Sequence, residues 1–213
     1  MKGERVLVAM SGGVDSSVAA GILVERGYDV VGATMKLFCH GEDVPDRPCC
    51  SLDSVNDARR VCEQLGIPHY VLNLETRFGH DVVDDFVSEY SRGRTPIPCV
   101  RCNTFTKFRD FVRKANAIDA SWVATGHYAR VSNTGLFRGV DENKDQTYFL
   151  WGIDREVLSR LILPVGDLDK AATRRRAHVM GLEVIAEKAE SQEICFVPDG
   201  DYARILEQKL PPD

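Results

Sequence analysis

Ser11, Gly12, Gly13, Val14, Asp15, Ser16 and Ser17 place three hydroxyls, two glycines and a carboxylate within one short stretch. That composition suits polyphosphate binding. The glycines adopt backbone angles closed to other residues, amides and hydroxyls donate to phosphate oxygens, and Asp15 is placed to hold Mg²⁺ beside them. The stretch is not G-x-x-x-x-G-K-[ST], because no lysine follows the glycines and the spacing is shorter. A second constellation runs from Gly93 to Asn103, where a loop carrying Pro96 and Pro98 delivers Cys99 and Cys102 to the start of a helix. The helix dipole, Arg101 and Lys107 favour a thiolate at Cys102. The C-x-x-C spacing is compatible with thiol exchange, with zinc or with part of an iron–sulfur cluster. A structural zinc site would want a second pair, and the adjacent Cys49 and Cys50 suit zinc badly. Cys195, in the apolar run Ile194-Cys195-Phe196, reads on its own as a core residue.

The flanking patterns predict how these groups are held. The apolar run from Arg5 to Met10 reads as a buried parallel strand. Ser16 to Arg26 reads as an amphipathic helix with Val18, Ala19, Ile22 and Leu23 inward. The glycines therefore sit at a strand-to-helix turn, where unpaired amides converge on one anion. Strands are expected over 29–35, 69–74 and 122–125, and helices over 52–65, 78–92 and 103–115. A hairpin is expected over 129–138, turning at Ser132 to Gly135. The series predicts an α/β, Rossmann-like fold: a parallel sheet with helices on both faces and a ligand at the carboxyl ends of its strands. Beyond Leu150 helical patterns at 155–162 and 169–180 flank Pro164. One ATP-binding domain is accordingly expected over 1–163 and the start of a smaller second domain over 164–213. The ending Lys209-Leu210-Pro211-Pro212-Asp213 reads as interrupted.

The 213 residues carry 27 basic and 32 acidic side chains, a net charge of −5. This balance argues against indiscriminate nucleic-acid binding and still permits a local basic face. Arg92, Arg94, Arg101, Lys107, Arg109, Arg113 and Lys114 surround the cysteine loop, and Lys170 with Arg174, Arg175 and Arg176 forms a second basic run. With no leader pattern and no spanning apolar stretch, a cytoplasmic location is expected, with neither a membrane nor a DNA partner. In that reducing compartment the seven cysteines read as core residues, metal ligands or sulfur chemists. Cys62 reads as core. Cys39, Cys49 and Cys50 read as loop packing, with sulfur storage or metal binding as the alternative.

Five motifs stand in a definite order: S-G-G-V-D-S-S at 11–17, R-T-P-I-P-C-V-R-C-N at 94–103, T-G-H-Y at 125–128, D-E-N-K-D-Q-T-Y-F-L at 141–150 and S-Q-E-I-C-F at 191–196. The series closely resembles the tRNA-specific 2-thiouridylases, a family of PP-loop ATP pyrophosphatases, over essentially the whole chain. The resemblance implies that ATP adenylates the 2-oxygen of the wobble uracil in tRNAs for lysine, glutamate and glutamine, and that sulfur then displaces AMP. It implies that Ala9, Met10, Ser11, Gly12, Gly13, Val14, Asp15 and Ser16 hold ATP, and that Met35 and Gly126 line the adenosine pocket. By the same resemblance Ile97, Pro98 and Cys99 with Lys144, Asp145 and Gln146 contact the target nucleotide, and Cys102 and Cys195 are the catalytic cysteines.

One position departs from the family pattern: Cys99 stands where the best-known members carry aspartate. Cys99, Cys102 and Cys195 together supply the three thiolates that a 4Fe-4S cluster needs when one iron stays open for exogenous sulfide. Such a cluster is expected ahead of a Cys102/Cys195 persulfide–disulfide relay, with the sulfur coming from a donor protein or free sulfide. The other readings are a different PP-loop adenylating enzyme and a non-catalytic metal-binding scaffold.

Overall fold

A computed structural model describes residues 3–38, 52–133, 135–189, 194–197 and 199–209. Cys39, Cys49, Cys50 and the Ser191 to Glu193 part of the last motif lie outside the described residues. Five strands, β1 (Arg5–Ala9), β2 (Asp29–Lys36), β3 (His69–Asn73), β4 (Trp122–Ala124) and β7 (Leu161–Ile162), form one sheet in the order β3-β2-β1-β4-β7. Every pairing in it is parallel, with Leu7 opposite Val31 on one side and Val123 on the other. A separate antiparallel hairpin joins β5 (Ala129–Ser132) to β6 (Gly135–Arg138), as its turn residues predict. The expected Rossmann-like α/β architecture is present. The short strand β7 lies where a helix was expected to continue to residue 162, because two residues carry too little periodicity to be read.

Central strand β1 is apolar on both faces because both are covered. Val6 and Val8 enter a core with helices α1 (Val14–Glu25) and α2 (Leu52–Gln64). Leu7 enters the opposite core with α6 (Phe108–Ala117) and the segment containing α7 (Arg155–Leu158). Helix α1 is buried on nearly every side from Val14 to Leu23. The cause is α8 (Lys170–Val179), which packs on its outer face: Val165 and Ala177 share the α1 core with Leu182, Ile185 and Ala186 of the α9 (Glu183–Ala186) region. Packing thus runs straight across the boundary expected at residue 163, and 164–186 is continuous with the nucleotide-loop core.

Two helices expected to be regular are interrupted. The first comprises α3 (Glu75–Phe78), a π-helical turn at Gly79–Val83 and α4 (Asp84–Ser91). The second comprises α5 (Pro98–Arg101), a π-helical turn at Cys102–Lys107 and then α6. The two π turns pack against each other, and such turns insert one extra residue and concentrate at functional sites. A third core forms beside them, where Phe196 sits edge-on between Phe86 (5.2 Å) and Phe78 (5.7 Å), and α10 (Tyr202–Lys209) closes it. Among the described residues no helix is long and apolar enough to cross a membrane.

Candidate active site

The carboxyl ends of β1 and β2, the start of α1 and the Thr125 to His127 segment after β4 enclose a cavity of about 230 Å³. Its wall includes Ala9, Met10, Ser11, Asp15, Ser16, Met35 and Gly126, seven of the ten positions expected to hold ATP. The remaining three shape the loop from behind. Gly12 has φ 71°, and a Cβ there would lie 2.2 Å from the Ser54 carbonyl oxygen, so α2 can approach only glycine. Gly13 caps α1, and Val14 is buried in the core.

The loop hydroxyls divide by role. Ser16 Oγ donates to the Gly13 carbonyl and stands 3.1 Å from Ser11 Oγ at the cavity. Ser17 Oγ also donates to the Gly13 carbonyl, at 2.9 Å, and the residue is fully buried. Ser17 is therefore an internal brace, contrary to its expected place among the phosphate donors. Helix α1 leaves its first amides without carbonyl partners, facing the same space.

Phe108 and Phe111, which carried no sequence signal, complete the wall together with residues of the named motifs and basic clusters. Lys107, Phe108, Phe111 and His127 line it with Gln146. Lys170 Nζ reaches across from α8 to both Asp15 oxygens, at 2.7 and 3.0 Å, and Tyr128 Oη donates to Asp15 at 2.8 Å. Tyr128 also bonds Thr173 at 3.0 Å, so α8 and the T-G-H-Y motif jointly fix the carboxylate. Burial and the nearby Lys107 push His127 down to about 3, leaving a neutral imidazole whose Nδ1 meets Thr125 Oγ1 at 2.7 Å.

Cys102 is buried in the phenylalanine core, and Cys195, beside the anchored Phe196, packs against the same cluster. Cys99 is exposed and belongs to none of the cores. Among the described residues no group of three metal-ligating side chains is placed to hold an ion. The expected three-cysteine 4Fe-4S site at Cys99, Cys102 and Cys195 is thus not assembled. Cys99 stands exposed in the first turn of α5, whereas Cys102, just past its end, is buried with Phe78, Phe86 and Phe196. Burial and Glu63 push the Cys62 thiol up to about 12, which leaves it an inert core residue.

The expected target-nucleotide residues divide similarly. Gln146 is in the cavity wall, where its Oε1 accepts from the Tyr128 amide at 2.9 Å. Asp145 instead closes its own turn, accepting from Gly139 N (3.0 Å) and Thr147 Oγ1 (2.6 Å). Burial alone would raise its carboxyl, but these hydrogen bonds and Arg138 outweigh it and hold the group below its ordinary value. Lys144 lies in the same turn. Ile97 is exposed and Pro98 buried at the start of α5, which packs against the 3₁₀ turn Thr147–Leu150.

Many of the clustered cations serve the fold. Arg94 and Arg92 pair with Glu89, Arg101 with Asp85, and Arg113 and Arg77 with Asp110. In the triple arginine, Arg174 holds the Ala186 and Lys188 carbonyls and Arg176 pairs with Glu25. Lys188 reaches the Gly12 carbonyl at 3.0 Å and Asp57 at 2.6 Å, tying the glycine turn to α2.

The family described as tRNA methyl transferase HUP domain matches residues 4–199. The tRNA-specific 2-thiouridylase MnmA of Geobacter metallireducens is 51% identical over 97% of this chain and 58% of its own length. That of Carboxydothermus hydrogenoformans is 50% identical over 97% of this chain and 59% of its own length. The chain therefore spans somewhat under three fifths of these curated relatives. A 4-thiouridine synthetase solved with RNA and bound ATP superposes with TM-score 0.61 at 21% identity, covering 96% of this chain and 50% of its own. The NMN synthetase of Francisella tularensis superposes at 0.55 and 18% identity, covering 89% and 67%. Both likenesses are of fold.

Proposed function

This chain belongs to the tRNA methyl transferase HUP domain family, and from that premise we propose that it carries out ATP-dependent 2-thiolation of the wobble uridine of tRNA in the cytoplasm, with the lysine, glutamate and glutamine tRNAs as substrates. The names of its relatives support the reading. The observation that carries it is the shared cavity wall, where the phosphate-loop residues Ser11, Asp15 and Ser16 meet Gln146 of the substrate motif.

In this reading Ser11, Ser16 and the first amides of α1 bind the phosphates of ATP, while Met35 and Gly126 admit the adenosine. The oxygens of Asp15, Ser11 and Ser16 are hard donors that fit Mg²⁺, which when bound offsets phosphate charge. Lys170, 13% exposed, adds a positive charge beside them. The uridine 2-oxygen attacks the α-phosphorus, the bond to the β-phosphate breaks, and pyrophosphate leaves. The terminal sulfur of a persulfide on Cys195, supplied by a persulfide-bearing donor, then attacks C2, and AMP departs with the oxygen. Finally the Cys102 thiolate attacks Cys195 Sγ, and the electron pair of the broken S–S bond passes to the sulfur on C2. The product is 2-thiouridine and a Cys102–Cys195 disulfide, which a dithiol reductant reopens. No step runs through an iron–sulfur cluster.

The test is pyrophosphate release from ATP with and without tRNA, followed by nucleoside mass analysis with a persulfide donor. Release that requires tRNA, with sulfur in the wobble nucleoside, is expected; tRNA-independent release would point to another adenylating enzyme. Iron after oxygen-free purification is expected to be negligible. About four irons per chain, lost in Cys99→Asp, would overturn the relay. Gly126→Ala would place a Cβ 2.5 Å from the Ser16 amide nitrogen and 2.6 Å from the Asp15 carbonyl carbon. ATP affinity measured by calorimetry is expected to fall at least tenfold, about 1.4 kcal/mol, and unchanged affinity would move the nucleotide elsewhere.

A further inference from the structure

Tyr148 and Trp151 are 58% and 70% exposed, yet the turn that carries them is tightly held. Leu150 and Ile153 are buried in the core, and the Phe149 carbonyl accepts from Asn103 Nδ2 at 3.0 Å. Gly152 presses on α5's continuation so closely that a Cβ would lie 2.4 Å from Thr104 Oγ1. Residues three apart eclipse in a 3₁₀ turn. Thr147–Leu150 is such a turn, so Tyr148 and Trp151 at its end project to the same side. Two large rings on a rigid mount, open to water, belong to the aromatic types enriched at binding surfaces.

We infer that Tyr148 and Trp151 form a stacking platform for the unpaired nucleotides that flank the target uridine on the same RNA strand. The inference rests on the tRNA reading above. Three observations select single-stranded RNA as the occupant. Tyr148 follows the cavity-wall residue Gln146 by two positions, so the turn that bears the rings begins at the cavity wall. The platform packs against α5, the helix that bears the exposed Cys99. One cation adjoins it: Arg138, on strand β6, is 81% exposed and stands 3.9 Å from Asp145. Bases offer π faces to rings irrespective of sequence, while guanidinium groups meet the phosphates.

The experiment is titration of the chain, with ATP present, by an anticodon stem-loop RNA bearing a wobble uridine, read by tryptophan fluorescence and by filter binding. The only other tryptophan, Trp122, is partly buried, so the exposed ring dominates any quenching. Trp151→Ala is expected to weaken RNA binding roughly 5- to 100-fold, with Trp151→Phe retaining most of the affinity. ATP affinity should not move. The slope of affinity against salt should also stay fixed, because stacking releases no counterions. Wild-type RNA affinity in both Trp151→Ala and Tyr148→Ala would overturn the platform while leaving the thiolation reading intact. Absence of RNA binding by the unsubstituted chain would overturn both. Concentration-dependent quenching without RNA would assign the rings to a second copy of the chain.

Discussion

Asp15→Asn is expected to slow tRNA-dependent pyrophosphate release by about a thousandfold or more, the size typical of removing a charge that offsets another developing in a reaction. The carboxylate is at the cavity wall, clamped by Lys170 Nζ and Tyr128 Oη, so its position is set before any substrate arrives. Asparagine keeps the shape and an acceptor for Tyr128 while removing the charge. It also leaves Lys170, 13% exposed, facing a neutral group. Some loss of stability therefore accompanies the substitution, on the order of 1–3 kcal/mol for a half-buried pair. The double variant Asp15→Asn, Lys170→Met separates the two effects, since it should recover the melting temperature and not the rate. Pyrophosphate release within a few-fold of wild type in folded Asp15→Asn would remove the carboxylate from the chemistry.

Cys102→Ser is expected to abolish 2-thiouridine formation while leaving tRNA-dependent pyrophosphate release within about threefold of wild type, because the serine hydroxyl is not ionised near pH 7 and cannot open the persulfide link. Cys102 is 4% exposed in the phenylalanine core. A buried hydroxyl there costs roughly 1–3 kcal/mol, and Cys102→Ala supplies the control with an apolar replacement. Trapped tRNA joined to Cys195 through a disulfide, seen on a non-reducing gel, is the specific signature. Sulfur incorporation at the wild-type rate in Cys102→Ser would eliminate the relay. Cys99→Ala is expected to thiolate normally, as suits an exposed residue outside the core.

The phosphate loop was legible because its signals are local. Hydroxyls, glycines and an acid lie within seven residues, flanked by a strand of one period and a helix of another. The chain order of five motifs carried the family for the same reason. Element bounds followed wherever a pattern was long, as in β2 and α2. They failed where a π turn inserts one residue into an otherwise helical period, at Gly79–Val83 and Cys102–Lys107. Pro164 ends a local element without ending a core, since Val165 and Ala177 pack with α1.

The sequence by itself determined the sheet-and-helix plan, the nucleotide turn and, through the order of its motifs, the family. Only the tertiary structure decided which groups meet. Lys170 joins Asp15 across 155 positions, Lys188 joins Gly12 across 176, and Cys195 is carried to the Cys102 core by the burial of Phe196. Local backbone preference reaches only a few residues, whereas these pairings are selected by how apolar faces exclude water and which charges that packing leaves side by side.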